Sequence, residues 1–199
     1  MSSQERHKNC AIIILAAGKS GRLGSPKQLV RFQDKTLIQN AINTALATQM
    51  EPVIVVLGAY AHKIKATIVD KKVHIVENSD WESGLSTSVK CGLKELITTY
   101  PLIKSVIFMV CDQPFVSSDI LIGLLTTQVQ SGMPIVACNY QGIIGTPALF
   151  IDSIFEALTT LTGDMGAGKL IRQYQDNTAL FPFPEGIIDI DTKEDFRHL

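Results

Sequence analysis

Short apolar runs alternate along this chain with longer stretches in which apolar residues recur at helical spacing. Ala11–Ala17 is an uninterrupted apolar run, which is typical of a strand covered on both faces. Further runs of strand length, bounded by turn residues, predict strands at Val53–Leu57, Val73–Val76, Ser105–Val110, Pro134–Cys138, around Pro147–Phe150 and near Ile187–Ile190.

Helices are predicted between these strands. Thr36–Ala47 carries an apolar stripe on one face, and Thr36 is a candidate helix cap. The same reasoning predicts helices at Ala61–Val69 and at about Leu85–Thr98, and a helix that runs from a cap at Ser117 or Ser118 to about Val129. One or two helices are predicted within Ile154–Tyr174, and a short last helix begins at Thr192.

The alternation of strands and helices is typical of right-handed βαβ units. We therefore expect an α/β fold of three layers, in which a mostly parallel, twisted sheet carries helices on both faces. Because no repeat or long linker interrupts the pattern, residues 1–199 are expected to form one domain, with 1–9 as a flexible tail. Ligands of such sheets bind beyond the carboxyl ends of the strands, so the residues after each strand are the candidates for chemistry.

Composition narrows the classes of function. The formal net charge is -1, which gives no basic face for nucleic acid. The first apolar run is too short to span a bilayer. The four cysteines are far apart, without metal-site spacing, so they are expected to be reduced thiols in a cytoplasmic protein.

The segment after the first predicted strand combines glycines with cations. Glycines let the backbone turn sharply and approach a ligand closely, and a bent run of peptide N–H groups can hold phosphate oxygens. Three positive charges fall within nine residues of this segment, with no acid among them, which favours an anion site over a solvated surface turn. The residues concerned are Gly18, Lys19, Gly21, Arg22, Gly24 and Lys27.

An acidic turn follows the strand predicted at Ser105–Val110. Asp112 stands just beyond this strand and is followed by Gln113 and Pro114. A carboxylate at the end of a strand is a hard oxygen ligand of the kind that Mg²⁺ prefers. An Asp that merely opens a turn is the alternative from these residues alone.

The segment LAAGKSGRLGSPKQL, residues 15–29, resembles the N-terminal signature LAAGxSxRxGxPKxL of the molybdenum cofactor cytidylyltransferases. These are MobA-like NTP transferases with a Rossmann-like nucleotidyltransferase fold. The resemblance implies that this loop binds a triphosphate, that Arg22 and Lys27 are catalytic, and, from alanine at 17 where guanylyl-transferring relatives have glycine, that the nucleotide is CTP. The nucleotide-binding residues that it implies in this loop are Leu15, Ala16, Ala17, Gly18, Ser20, Gly21, Arg22 and Lys27.

Two further segments are similar to parts of the same family. The turn DQP before a helix resembles its metal-binding turn, which implies that Asp112 is catalytic and holds Mg²⁺. NSDWESGLSTSVKCGL, residues 78–93, resembles the segment near base and ribose, which implies that Gly84, Ser86 and Ser88 bind the nucleotide. For each of these three residues, a role in helix capping and packing is the alternative.

The last third of the chain resembles the acceptor side of the family. GIIGTPALF has Thr146 where histidine is common, which leaves the acceptor open, and LTGDMGAGKLI resembles a GD-x-GA element with a departure at Gly168. The implied acceptor-binding residues are Gln113, Pro114, Gly145, Thr146, Gly163, Asp164 and Gly166. In IIDIDTKEDF, Asp189 or Asp191 would be the second metal contact; Asp189 is favoured because Asp191 also suits a helix cap.

The resemblance implies a Mg²⁺-dependent transfer of CMP from CTP to a phosphorylated acceptor, with molybdopterin as the expected acceptor and pyrophosphate as the product. The expected partners are small molecules, without nucleic acid or membrane, and with a transient contact to a molybdenum hydroxylase. The protein is expected to be a monomer or a weak homodimer. Two alternatives remain open: transfer to a sugar or alcohol phosphate, and a noncatalytic escort protein that holds the cofactor.

Overall fold

The computed structural model describes residues 9–20, 25–70 and 72–189, and it confirms the alternation of strands and helices. The strands are β1 Cys10–Ala16, β2 Arg31–Phe32, β3 Lys35–Thr36, β4 Val53–Leu57, β5 Val73–Glu77, β6 Ser105–Val110, β7 Ile135–Tyr140, β8 Ile143–Ile151 and β9 Thr178–Pro182. The α-helices are α1 Leu37–Ala47, α2 Ala61–Lys65, α3 Leu85–Thr99, α4 Ser118–Ser131, α5 Phe155–Thr159 and α6 Ala167–Gln173.

Seven strands form one sheet in the order β5-β4-β1-β6-β8-β7-β9. Every neighbouring pair is parallel except those made by β8, which runs antiparallel to both β6 and β7. The reversal is local, because β7 and β8 are joined by Gln141 and Gly142, both with positive φ (57° and 88°). A two-residue turn of this kind matches the twist of a hairpin. The predicted mostly parallel sheet is confirmed.

Both faces of the sheet are covered by helices, as predicted. Along β1, Ile12 and Ile14 point into a core with α1, α2 and α4, whereas Ile13 and Leu15 point into a core with α3, α5 and α6. Successive side chains of a strand point to opposite faces, and every residue of β1 is buried. This double burial explains why β1 is apolar without interruption.

The helix starts follow the capping residues. Thr36 accepts a hydrogen bond from the N–H of Gln39, whose side chain accepts in turn from the N–H of Thr36, which confirms Thr36 as a cap. Ser117 caps α4 by accepting from the N–H of Ile120. Among the described residues, no helix has the length and apolar character needed to cross a membrane.

Two predicted elements were wrong in the described part of the chain. The strand expected near Ile187–Ile190 is absent from its described residues, because Pro184–Ile187 forms a 3₁₀ turn and Ile187 is 43% exposed. The sheet instead gains β9, which pairs in parallel with β7. The helix expected to reach Val69 stops at Lys65, and Val69 is 85% exposed. An apolar residue adds little to a helix when the fold offers it no surface to cover.

The strand order places one crevice at the centre of the sheet. The chain leaves β1 toward β4 on one side, whereas β6 lies on the other side of β1. Such a reversal of strand order opens a gap outside the carboxyl ends of the two strands. Leu15 is in register with Val110, so the glycine-rich segment after β1 and the acidic turn after β6 leave the sheet side by side.

Candidate functional site

A cleft of about 390 Å³ lies at this crevice, at the carboxyl ends of β1 and β6. One wall is the segment after β1, the floor includes the turn after β6, and the opposite wall is the start of α3. Its lining residues are Leu15, Ala16, Ala17, Gly18, Lys19, Lys27, Gln28, Trp81, Glu82, Gly84, Leu85, Ser88, Val110, Cys111, Asp112 and Asp164. Residues predicted from three separate segments are therefore brought to one cleft.

Gln28 holds the segment after β1 in place. Its side-chain amide is buried and donates 2.9 Å hydrogen bonds to the carbonyl oxygens of Ala16 and Gly18. The carbonyl oxygen of Ala17 accepts a third bond, from the N–H of Ala59. Three successive carbonyl dipoles are thus engaged by protein donors, which reduces their repulsion of an anion in the cleft.

Lys27 and Asp112 form an ion pair in the cleft, between Nζ and Oδ2. Their side chains are only 19% and 15% exposed. The second carboxylate oxygen, Oδ1, is buried and has no hydrogen-bond partner within the described residues. The backbone N–H of Lys27 donates to the hydroxyl of Ser20 at 3.1 Å, which ties the two ends of the glycine-rich segment together. The site therefore offers a cation and, on the carboxylate paired with it, an oxygen without a partner among the described residues.

Cys111, next to this carboxylate, does not act as an ionised nucleophile. Burial, with a smaller contribution from the charge of Asp112, raises the pKa of its thiol to about 12, while Lys27 acts in the opposite direction. A thiol needs a lowered pKa to react as a thiolate near neutral pH. We therefore assign Cys111 to the core that it joins through the α1 face of the sheet.

The opposite wall is built on a close glycine contact. Gly84, at φ 104°, precedes α3, and a Cβ placed on it would lie 2.3 Å from the carbonyl carbon of Gly163. The N–H of Ser86 also donates to the carbonyl oxygen of Gly163. Gly84 and Ser88 line the cleft, whereas Ser86 is buried beside it. The loop that carries Gly163 thus fixes the start of α3, and it brings Asp164 to the same cleft.

The residues predicted for the acceptor occupy two places. Asp164 lines the cleft and Gly166 precedes α6, where a Cβ would meet Leu85. Gln113, Pro114, Gly145 and Thr146 lie at the same edge of the sheet, beyond β6 and within β8. Gln113 is buried and donates to the carbonyl oxygen of Gly186 at 3.0 Å.

Tyr140 joins this second group, although the sequence analysis does not single it out. A Cβ added at Gly145 would lie 2.2 Å from the hydroxyl of Tyr140, so the glycine makes room for the phenol. Burial raises the pKa of Tyr140, and the neighbouring Cys138 and the charge of Asp189 act in the same direction, whereas Gln113 lowers it. This influence on the phenol indicates that Asp189, which is exposed, lies near Tyr140.

Some predicted residues cannot be placed. Gly21, Arg22 and Asp191 lie outside the described residues. Within the described ranges, no group of three or more His, Cys, Asp or Glu side chains is arranged to hold a metal. A metal at this site would therefore be held by fewer than three such side chains of the described residues, with substrate or water completing its ligands.

Besides Tyr140, three residues that shape the cleft escape the sequence analysis. Gln28 clamps the segment after β1, Gly58 admits Trp81 and Ala17 side by side, and Asn78 bonds the start of α3. A Cβ on Gly58 would lie 2.7 Å from Cβ of Trp81 and 2.8 Å from Cβ of Ala17. The available signal was position: Gly58 and Asn78 each follow a strand directly, at the edge where ligands bind.

Comparison with known proteins agrees with this geometry. Residues 12–178 match the MobA-like NTP transferase domain. Nicotine blue oxidoreductase of Paenarthrobacter nicotinovorans is 30% identical over 170 residues, which cover 81% of this chain and 80% of that protein. Purine catabolism protein PucB of Bacillus subtilis is 26% identical over 197 residues, 92% of each chain.

A solved structure shares nearly the whole fold. Rv0371c from Mycobacterium tuberculosis H37Rv matches with a TM-score of 0.81 and 26% identity, over 96% of each chain. A complex of Rv0371c with manganese matches with a TM-score of 0.79 and 25% identity, over 96% of this chain and 98% of the other. The chain therefore belongs to the MobA-like NTP transferase family, within the nucleotidyltransferases of Rossmann-like fold.

Proposed function

We propose that this protein transfers CMP from CTP to a phosphorylated acceptor, molybdopterin, and releases pyrophosphate in a reaction that depends on Mg²⁺. The observation that carries the proposal is the pairing of Lys27, at the end of the glycine-rich segment, with Asp112, whose second carboxylate oxygen has no partner among the described residues. A cation and a metal-binding oxygen next to an anion-holding backbone suit a triphosphate more than any neutral ligand.

The triphosphate lies along the segment after β1. Lys19 and Lys27 line the cleft there, and Arg22 joins them by resemblance to the family. Since Gln28 engages the carbonyl oxygens of Ala16 and Gly18, the loop meets the phosphates with its amide groups and cations. Charge neutralisation of this kind is the main contribution of a protein to phosphoryl transfer.

The residues present fit a magnesium ion. Oδ1 of Asp112 is a buried carboxylate oxygen without a described partner, and Mg²⁺ is commonly bound through one or two carboxylates together with phosphates and water. Asp189, exposed at the same edge of the sheet, is the proposed second contact. Bound Mg²⁺ would neutralise triphosphate charge during the reaction. The manganese complex of the Mycobacterium tuberculosis relative supports a divalent metal in this family.

The reaction forms one bond and breaks another at the α-phosphorus of CTP. An oxygen of the acceptor phosphate attacks this phosphorus, and the bond to the bridging oxygen of the pyrophosphate breaks with its electron pair. The attacking phosphate is already an anion at neutral pH, so no catalytic base is required. Lys27 offsets the negative charge that builds up on the leaving group, and the walls of the cleft hold the two substrates in line.

The choice of CTP rests on Ala17 and on the family resemblance. Ala17 is buried, and its methyl group packs in the space that Gly58 leaves open beside Trp81. The resemblance implies CTP from this alanine, because the guanylyl-transferring relatives have glycine at the same position.

Thr146 keeps a second acceptor in consideration. It stands on β8, at the edge where the acceptor is proposed to bind, in place of the histidine that is common in the family. A sugar or alcohol phosphate is therefore the alternative acceptor. A noncatalytic escort protein is the other alternative, but such a protein would not require the paired Lys27 and Asp112.

Pyrophosphate release tests the proposal directly. The protein is mixed with Mg²⁺ and molybdopterin, and CTP is compared with GTP, ATP and UTP. Asp112→Asn keeps the shape of the side chain and removes its charge, while Asp119→Asn, an exposed acid seven residues further along, is the matched control. We expect release with CTP, loss of at least about a hundredfold in Asp112→Asn, loss on chelation of the metal, and little change in Asp119→Asn.

The outcomes separate the alternatives. If CTP releases pyrophosphate with a sugar or alcohol phosphate but not with molybdopterin, that phosphate is the acceptor and molybdopterin is not. Tight binding of molybdopterin without any nucleotide turnover would favour the escort protein. Equal activity of Asp112→Asn and the wild type would remove the proposed metal site.

A further inference from the structure

The side chain of Asn78 has a fixed orientation at the end of β5. Its Oδ1 accepts a 3.0 Å hydrogen bond from the backbone N–H of Asp80. Oδ1 of a side-chain amide accepts and Nδ2 donates, so this bond determines which way the amide is turned. Nδ2 consequently faces α3, where it donates to Thr87 at 2.8 Å and to Ser88 at 3.0 Å.

These bonds use both hydrogens of the amide, so the hydroxyls of Thr87 and Ser88 accept from Asn78 and do not donate to it. The hydroxyl of Thr87 accepts from Asn78 and has the carbonyl oxygens of Gly84 at 2.8 Å and Asp80 at 3.0 Å as its acceptors. Asn78 is itself buried, and its backbone N–H bonds the carbonyl oxygen of Leu57 at 2.7 Å. The amide is therefore held from both sides and cannot flip without loss of these bonds.

Ser88 is the end of this network. It is buried, it lines the cleft, and its Oγ accepts the bond from Asn78. Its own proton has no acceptor among the described residues. A hydroxyl that accepts from the protein on one side has its proton left for the other side, which here is the cleft.

We infer that Asn78 is a positioning residue that fixes Ser88 as a hydrogen-bond donor toward the nucleotide, so that this point of the cleft reads an acceptor atom on the ligand. This inference rests on the proposed function. On a cytosine, O2 and N3 are acceptor atoms at the pairing edge, where guanine carries N1–H and N2–H donors that a second donor cannot pair. Asn78 and Ser88 thus favour cytosine over guanine at this point of the cleft.

A change at Asn78 can reverse the direction of the network. In Asn78→Asp the carboxylate has only acceptor oxygens, so the hydroxyls of Thr87 and Ser88 would donate to it. Ser88 would then present a lone pair to the cleft and oppose an acceptor atom on the base. The new negative charge would also weaken nucleotide binding, whether or not Ser88 is present.

A double-mutant cycle separates these two effects. The dissociation constant of MgCTP is measured by calorimetry for the wild type, Ser88→Ala, Asn78→Asp and the double variant, with thermal unfolding to establish that each is folded. Asn177→Asp, at an exposed asparagine, is the matched control for added charge. We expect Ser88→Ala to weaken binding about tenfold, and Asn78→Asp to cost about tenfold more with Ser88 present than without it.

Each result decides the inference. Equal losses from Asn78→Asp in the two backgrounds would show that the residue acts only through charge or structure, and would overturn it. If Asn78→Asp does not fold, the test rests on Ser88→Ala. Unchanged MgCTP binding by Ser88→Ala would also overturn the inference. A wild type that does not bind MgCTP would overturn this inference together with CTP as the donor, whereas MgCTP binding without turnover on molybdopterin would count only against the acceptor.

Discussion

Lys27 Nζ donates to Asp112 Oδ2 across 85 positions of sequence, and this ion pair joins the segment after β1 to the turn after β6. Neither side chain is more than one fifth exposed. The pair therefore forms only when β1 and β6 lie side by side. In the proposed function it also keeps the carboxylate compensated until a nucleotide and a metal arrive.

The first prediction concerns the stability of this pair. Lys27→Met leaves Asp112 partly buried without this cation, so we expect the free energy of unfolding to fall by about 1–3 kcal/mol. The double variant Lys27→Met/Asp112→Asn carries neither charge of the pair and should recover part of this loss, although it remains inactive. Urea unfolding of the wild type, the two single variants and the double variant measures the effect. A double variant less stable than both single variants would contradict the prediction.

The second prediction concerns the clamp formed by Gln28. Gln28→Glu replaces an amide that donates to the carbonyl oxygens of Ala16 and Gly18 by a carboxylate, which repels them. We expect the free energy of unfolding to fall by about 1–3 kcal/mol and the KM for CTP to rise more than kcat falls, because the loop loses its shape. Gln175→Glu, at an exposed site, is the control and should leave both constants within about twofold.

The third prediction compares two glycines with positive φ. Gly84→Ala would place a methyl group 2.3 Å from the backbone of Gly163, whereas a Cβ at Gly132, φ 67°, meets nothing within 4 Å. Gly132→Ala should therefore cost only the backbone strain, about 1 kcal/mol. Gly84→Ala should cost several times more, or displace the loop of Gly163 and abolish nucleotide binding. Thermal unfolding and MgCTP calorimetry compare the two; equal effects would refute the close contact.

The fourth prediction is a loss of stability in alkali. Burial raises the pKa of Cys10, Cys111 and Cys138 from 9.0 to about 12. Because the folded pKa lies above the unfolded value, the contribution of each thiol is complete below pH 9 and is lost as the pH rises from 9 to 12. The free energy of unfolding should fall by about 1.4 kcal/mol per pH unit for each such thiol.

Urea unfolding at several pH values above 9 measures this slope. Cys138→Ala removes one deeply buried thiol and should make the slope shallower, even if it lowers stability at neutral pH. Cys91→Ala is the matched control, because Cys91 is only half-buried and its pKa is raised less. An unchanged slope in Cys138→Ala would count against the assigned pKa.

The parts of the fold that were predicted correctly depend on local pattern. β4 and β6 have the predicted bounds, and α1 begins after the predicted cap at Thr36. The apolar residues of these elements are buried on the faces that their spacing indicates. The prediction was wrong at Ile187 and Val69, which are apolar but exposed. An apolar pattern predicts which face of an element could be buried, but it does not show whether another element packs against that face.

The candidate site was predicted in part for the same reason. Lys27 and Asp112 are charged residues in the segments that follow β1 and β6, and the sequence shows their charge and their place directly. Gln28 and Asn78 are amides whose roles depend on their partners: Gln28 bonds carbonyl oxygens 10 and 12 positions away, and Asn78 reaches hydroxyls 9 and 10 positions away. Nothing in the residue types reveals such bonds before the loops are folded.

The sequence by itself determined the class of the fold and the chemical character of the loops, because buried strands must be apolar and an anion site needs glycine and positive charge. Only the tertiary structure decided which loops meet. The order of β4, β1 and β6 in the sheet brings Lys27 to Asp112, and the packing of Gly84 on Gly163 brings a third loop to the same cleft. Contacts between distant segments depend on the packing of the whole chain, which no local pattern encodes.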